Sequence, residues 1–168
     1  MKNYEQRAIK FANYLAKLFQ DCIYCDDFEW VLKRYNRTHS RQLKWAHGVS
    51  RIAIIRADYV IKFDFQPEGY WANGKAGNCY SEVEVYQMAV EDGMEHLLAK
   101  PTVCESYGHT FSIMPRINRV NDEQRSWWYF CTSEEYNWLN RHVNDLHDGN
   151  VGYRRRKVCV IDYAWERY

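Results

Sequence analysis

The sequence predicts an α+β fold. Three observations carry that expectation. Apolar residues recur at helical spacing through the first 35 residues, and from Lys44 the apolar period shortens to two. Beyond residue 78, short β-branched runs are interleaved with two further amphipathic stretches.

The elements follow in order. Ala8, Phe11, Ala12, Leu15, Leu18 and Phe19 mark one face of a first helix. Phe28, Val31, Leu32 and Tyr35 mark a second, and residues 36–40 read as a polar connection. Residues 51–55 and 58–63 are strands rich in Ile, Val and aromatics, joined by a turn at 56–58. The glycine-rich segment 66–77 is expected to be a loop. Asn78 can cap a helix running to Asp92, with Val85, Tyr86 and Ala89 on the side of Glu82 and Gly93 to end it. Strands are expected at 102–105 and 110–117 around a Tyr107-Gly108 turn. Residues 133–143 form a last helix, with Ser133 as its cap and Tyr136, Leu139 and Val143 on one face. A hairpin of 151–153 and 158–161 around the basic residues 154–157 closes the pattern.

Composition bounds the function. At 168 residues the chain can bury one sizeable core. A net charge of +1 makes nucleic acid or an anionic membrane an unfavoured partner. With 46% apolar and 17% aromatic residues the chain is expected to fold, and no apolar run is long enough to span a bilayer. The first residues lack the apolar core of a signal peptide, so the expected location is a cytoplasm. Of six cysteines only Cys22 and Cys25 form a CxxC pair, without a second pair to complete a zinc site. Nearby Glu, Asp and His residues could fill one, but the preferred reading is two reduced thiols in a helical segment.

The chemistry concentrates near the end, in Asn144-Asp145-Leu146-His147-Asp148-Gly149-Asn150 and then Val160-Ile161-Asp162-Tyr163-Ala164. Phosphoryl transfer asks a protein for a carboxylate near the acceptor hydroxyl and for oxygen ligands that hold magnesium against the phosphates. A hairpin with Asn150 at its entrance and Asp162 at its exit can aim both at one metal, and magnesium prefers such hard oxygens.

These residues resemble the protein-kinase superfamily. Asp145 to Asn150 looks like its catalytic loop and Asp162-Tyr163-Ala164 like its metal-binding Asp-Phe-Gly segment. Tyr59-Val60-Ile61-Lys62 is similar to the Val-Ala-Ile-Lys strand, whose lysine holds the α- and β-phosphates. The helix that follows should orient that lysine with a glutamate. Glu82 is favoured over Glu84, because Val85, Tyr86 and Ala89 extend its face. Residues 112–117, with Met114, look like the strand entering the adenine-binding hinge, and Gly48 is what remains of a phosphate-cradling glycine loop. The tail is similar to minimal kinase-like proteins met in tailed-phage genomes, which implies a host cytoplasm.

The resemblance spans about residues 44–165. It implies a compact, truncated, two-lobed kinase-like fold over 44–168 as a single structural unit, preceded by an N-terminal helical extension over 1–43. ATP and Mg²⁺ are the implied cofactors. Asp145 and Lys62 are the implied catalytic residues; Lys62, Glu82, Gly48 and Met114 hold the nucleotide; Asn150 and Asp162 hold the metal. Three departures stand beside this. The glycine loop is reduced to Ala46-His47-Gly48-Val49-Ser50, Val143 replaces the histidine two before Asp145, and little sequence follows Asp162, so the substrate-binding helical lobe is expected to be largely missing. Three functions therefore stay open: a phosphotransferase acting on a protein, a pseudokinase that binds and blocks a host protein, and a small-molecule kinase. His147 and Asp148 read as loop scaffold and residues 154–157 as a solvated hairpin tip. Trp127-Trp128-Tyr129-Phe130 reads as core or docking surface, since four consecutive aromatics cannot all face one side.

Overall fold

The helical spacing of the N-terminal stretch becomes two helices, α1 (Asn3–Leu18) and α2 (Cys25–Thr38). The computed structural model describes residues 3–48, 50–65, 78–119, 127–143, 146–154 and 157–163. The expected 66–77 loop, Asp145 and residues 155–156 lie outside them. α2 begins where the Asp27 carboxylate accepts the backbone N–H groups of Ile23 (3.0 Å) and Tyr24 (2.9 Å). Those two donors, Tyr24 first, hold Asp27 below the usual carboxylate range. The helix runs to Thr38, three residues into the expected connection, because Asn36 turns inward: its side chain exchanges hydrogen bonds with the backbone of Leu43 (2.7 and 2.9 Å). The CxxC pair is not within one helix. Cys22 is buried in the connection, whereas Cys25 opens α2.

Among the described residues the chain divides into two units, Met1–Cys79 with Thr102–Arg116, and Tyr80–Pro101 with Ile117–Tyr168. The first holds strands β1 (Lys44–His47), β2 (Arg51–Ile55), β3 (Tyr59–Asp64), β4 (Thr102–Ser106) and β5 (His109–Pro115). They form one antiparallel sheet in the order β1-β2-β3-β5-β4. The β4–β5 turn places Tyr107 at φ 50° and Gly108 at φ 79°, the two positive φ values that a twisted two-residue hairpin demands.

Alternation splits this sheet into two faces. Ile52, Ile54, Ile61, Phe63, Phe111 and Ile113 share the core with Ala8, Ala12, Leu15, Phe19, Phe28 and Leu32 of the helical segment. Phe63 meets Phe19 edge-on at 5.1 Å between ring centroids, and Phe28 lies 4.8 Å from Phe19. Each such pair adds about 0.5–1.5 kcal/mol to the area buried. Buried His109 ties β5 to the end of α1 through a 2.6 Å contact between Nε2 and the Phe19 carbonyl. Leu18, expected on this face, is exposed; Ala16 takes a buried place instead.

The second unit contains most of α3 (Asn78–Glu91), a 3-10 turn at Glu95–Leu97, strands β6 (Asn118–Arg119), β7 (Val151–Arg154) and β8 (Lys157–Val160), and α4 (Ser133–His142). Gly93, at φ 73°, ends α3 as expected. α4 is capped by Thr132 rather than Ser133. The Thr132 hydroxyl accepts from Glu135 N–H (3.1 Å), and the Glu135 carboxylate accepts from Thr132 N–H (2.7 Å). Its buried residues are Trp138 and Leu139, with Val143 behind them; Tyr136, expected among them, is exposed. Trp138 Nε1–H donates to Asp92 at 2.7 Å, which turns its ring inward. The fold is therefore α+β, as the sequence predicts. Among the described residues no helix is long and apolar enough to cross a membrane.

Candidate functional site

Lys62 sits in the middle of β3 on the sheet face opposite α1 and α2. In register it lies beside Ala53 of β2 and Ser112 of β5. It is 7% exposed, an unusual state for a lysine, and Ser112 is fully buried. Met114 pairs with Val60 and is buried on the same face, one pleat from Lys62. The sheet thus brings the expected phosphate lysine and the expected hinge residue to one surface. Gly48 follows β1 and closes the turn to β2, donating its N–H to the Arg51 carbonyl at 2.9 Å. At the C-terminal end of β3, Asp64 accepts from the N–H of Cys79 (3.3 Å) and contacts its thiol (3.2 Å), anchoring the start of α3.

In the second unit, Glu82, Val85 and Ala89 form the buried side of α3, while Glu84 is exposed. The 3.6-residue period allows only one of two glutamates spaced by two to be buried there.

The two expected metal ligands lie at the open end of the β7–β8 hairpin. Val151 pairs with Val160, and just outside this pair the Ile161 N–H donates to the Asn150 carbonyl at 2.8 Å. Asn150 and Asp162 therefore flank the hairpin base, one at each strand's outer end. One support is built locally and the other from a distant part of the chain. His147 Nδ1 accepts from Gly149 N–H (3.0 Å) and its carbonyl from Asn150 N–H (2.9 Å), which winds Asp148–Asn150 into a single 3-10 turn. A side chain at Gly149 would collide with the His147 ring, and one at Gly152 with the backbone of Asn118. On the other side, Tyr163 is buried, and its hydroxyl donates to the Ala99 carbonyl. Ala99 N–H in turn donates to Val160 at 2.9 Å. The backbone around Asp162 is thus held at both neighbours.

Sequence reasoning missed Tyr163 as a support, although its place after Asp162 was a signal. It also missed Ser112 and Ala99, which no local pattern marks. Trp127–Phe130 forms a 3-10 turn in which Trp127 is buried and Trp128, Tyr129 and Phe130 are exposed.

No protein-family model matches the chain, and no curated protein matches it. Solved structures of the bifunctional kinase-methyltransferase WbdD are similar in part. One at medium resolution aligns with TM-score 0.46 and 15% identity, covering 73% of this chain and 34% of that one. A co-crystal structure with a kinase inhibitor aligns at 0.44 and 16%, covering 73% and 32%. A high-resolution structure aligns at 0.46 and 16%, again covering 73% and 32%. The chain spans about a third of the length of these structures. At that distance, function has to be argued from this chain's own residues.

Proposed function

We propose that this chain is an ATP- and Mg²⁺-dependent phosphotransferase of the protein-kinase-like kind, acting on a protein hydroxyl in a cytoplasm, that of the host if phage-encoded. The observation that carries the reading is the hairpin base, where the backbone hydrogen bond from Ile161 to Asn150 sets Asn150 before one strand and Asp162 after the other, twelve positions apart in sequence. Asn150 and Asp162 offer hard oxygens of the type magnesium takes, and would hold it. When bound, the ion supplies neutralisation of the phosphate charge.

The remaining roles belong to the chain's own side chains. Lys62, on a buried face of the sheet, binds the α- and β-phosphates, and Glu82 orients it. Lys62 and Glu82 are each buried within their own units, an uncommon state for charged side chains. The Met114 backbone receives adenine, and Gly48 leaves room for phosphate at the β1–β2 turn. Asp145 orients the acceptor hydroxyl and takes its proton.

Calorimetry with ATP, with and without Mg²⁺, tests this. Binding should depend on Mg²⁺ in wild type, and Asp162→Ala should lose that dependence while its circular dichroism is unchanged. Equal affinity with and without the ion in wild type would remove the metal site.

A second reading is favoured by one observation. Trp128, Tyr129 and Phe130 expose three adjacent rings, Tyr129 at 79%, on a single turn. Contiguous exposed aromatics mark protein-binding surfaces. A pseudokinase that seizes a host protein through this turn would need no turnover.

A further inference from the structure

Outside the residues used above, one group of side chains has the composition and spacing of a metal site. Cys25 is the first residue of α2, and Glu29 stands one turn later, so both project from one side of the helix. His47 ends β1. The Cys25 thiol, a Glu29 carboxylate oxygen and an imidazole nitrogen of His47 all lie within 4.8 Å of one another. All three residues belong to the first unit.

We propose that Cys25, Glu29 and His47 form a zinc site. Thiolate, imidazole and carboxylate are the three side-chain ligand types that zinc accepts, and the mixture of soft and hard donors excludes magnesium or calcium as the preferred ion. Tetrahedral zinc with bonds of about 2.0–2.3 Å separates its ligand atoms by roughly 3.3–3.7 Å. His47 Nε2 and Glu29 Oε1 are 3.4 Å apart.

The outer contacts fit as well. His47 Nδ1 faces the Gly48 carbonyl at 3.5 Å, the arrangement in which Nδ1 carries the proton and leaves the Nε2 lone pair for a metal. The second Glu29 oxygen, Oε2, is held by Lys33 Nζ at 2.6 Å, which orients the carboxylate while Oε1 turns toward His47. Three protein ligands leave a fourth position for water. The ion would clamp the first turn of α2 to the end of β1, immediately before Gly48. A turn short of glycines would thereby gain a fixed anchor. Cys22, the other half of the CxxC pair, is not in the cluster.

Cobalt(II) substitution tests the site in the full chain, reduced and stripped of metal, without nucleotide. One equivalent of Co²⁺ should produce a thiolate-to-cobalt charge-transfer band and tetrahedral ligand-field absorption, and Zn²⁺ should displace it. Cys25→Ser should abolish the charge-transfer band. Glu29→Gln and His47→Ala should each weaken Zn²⁺ binding by at least about tenfold, the scale that even outer partners of a metal carry. Glu29→Gln is the variant least able to disturb folding. Cys22→Ser and Asp162→Ala should leave the spectrum unchanged, which separates this site from the magnesium site proposed at the hairpin. The proposal fails if wild type gives no charge-transfer band at stoichiometric Co²⁺. It also fails if the band survives Cys25→Ser, or depends on Cys22 or Asp162 instead.

Discussion

At the scale of single residues, burial is the most informative property. A lysine in water is common and means little; Lys62 is buried in the middle of a five-stranded sheet beside a buried serine. Removing one charge from a buried set leaves the groups that neutralise it uncompensated, so Lys62→Met should lower the melting temperature. It should also lower phosphotransfer, by about 10²-fold or more, the scale on which a removed electrostatic partner acts on a transition state. Labelled γ-phosphate incorporation, measured beside thermal melting on the same preparations, checks both halves. Undiminished incorporation by Lys62→Met would take Lys62 out of the site. Thiol chemistry is also set by burial. Desolvation pushes Cys159 up to about 12, with nearby Arg154 opposing it only weakly, so this cysteine is an inert core group of β8. Cys22 is likewise raised to about 11, first by desolvation and then by Asp27 and Asp21. Neither is a reactive nucleophile.

At the scale of elements, the caps carry the local energetics. The reciprocal Thr132–Glu135 box starts α4, and Glu135 also meets His96 Nε2 at 2.7 Å, linking α4 to the Glu95–Leu97 turn. Thr132→Ala should cost about 1 kcal/mol in urea unfolding, the usual worth of an N-cap side chain. Glu135 adds a pH dependence whose sign follows from its partners. The Thr132 N–H first, and His96 next, hold its carboxyl below the ordinary glutamate value. A folded value below the unfolded one means stability that is fully present above the unfolded value and lost as pH falls through the folded one. Glu135→Gln should therefore lower stability at neutral pH and flatten part of the loss on the acid side. Parallel acid-side slopes for wild type and Glu135→Gln would show that the carboxylate carries no such linkage. The β7–β8 hairpin shows the same economy. Gly152 admits the Asn118 backbone, and Gly149 admits the His147 ring that caps the turn before Asn150.

At the scale of the whole molecule, the question is whether the chain turns over or only binds. Asp145 and Trp128 separate the two readings, because each matters in one and not in the other. If the protein is a phosphotransferase, Asp145→Ala should lower turnover by about 10²-fold or more while ATP affinity is nearly unchanged, since a general base acts on the acceptor hydroxyl and not on the nucleotide. Trp128→Ala should then leave transfer to a small model substrate intact. If the protein acts by sequestration, activity in cells should ignore Asp145 and fall with Trp128, whose ring is 43% exposed. The measurement is one cellular phenotype for both variants at matched expression. Full activity in Asp145→Ala with loss in Trp128→Ala would overturn catalysis in favour of binding.

What the sequence determined by itself was local. Period-3.6 and period-2 runs located the helices and the sheet strands, Gly93 and the Tyr107-Gly108 pair marked a helix end and a turn through their positive φ, and Lys62 was legible as a cation inside an apolar strand. Each of these is encoded within a few neighbouring residues, where sterics and hydrogen bonding act directly. Errors fell where two local choices were nearly equal. Ser133 and Thr132 are both good caps, and only the reciprocal bond with Glu135 selects Thr132. The tertiary structure decided what depends on residues far apart in the chain: that Glu82 is buried and Glu84 exposed, that Asn150 meets Ile161, that Tyr163 reaches Ala99, and that Cys25 and Glu29 of α2 face His47 of β1. Those juxtapositions depend on register, turn length and packing acting together, and no window of sequence contains them.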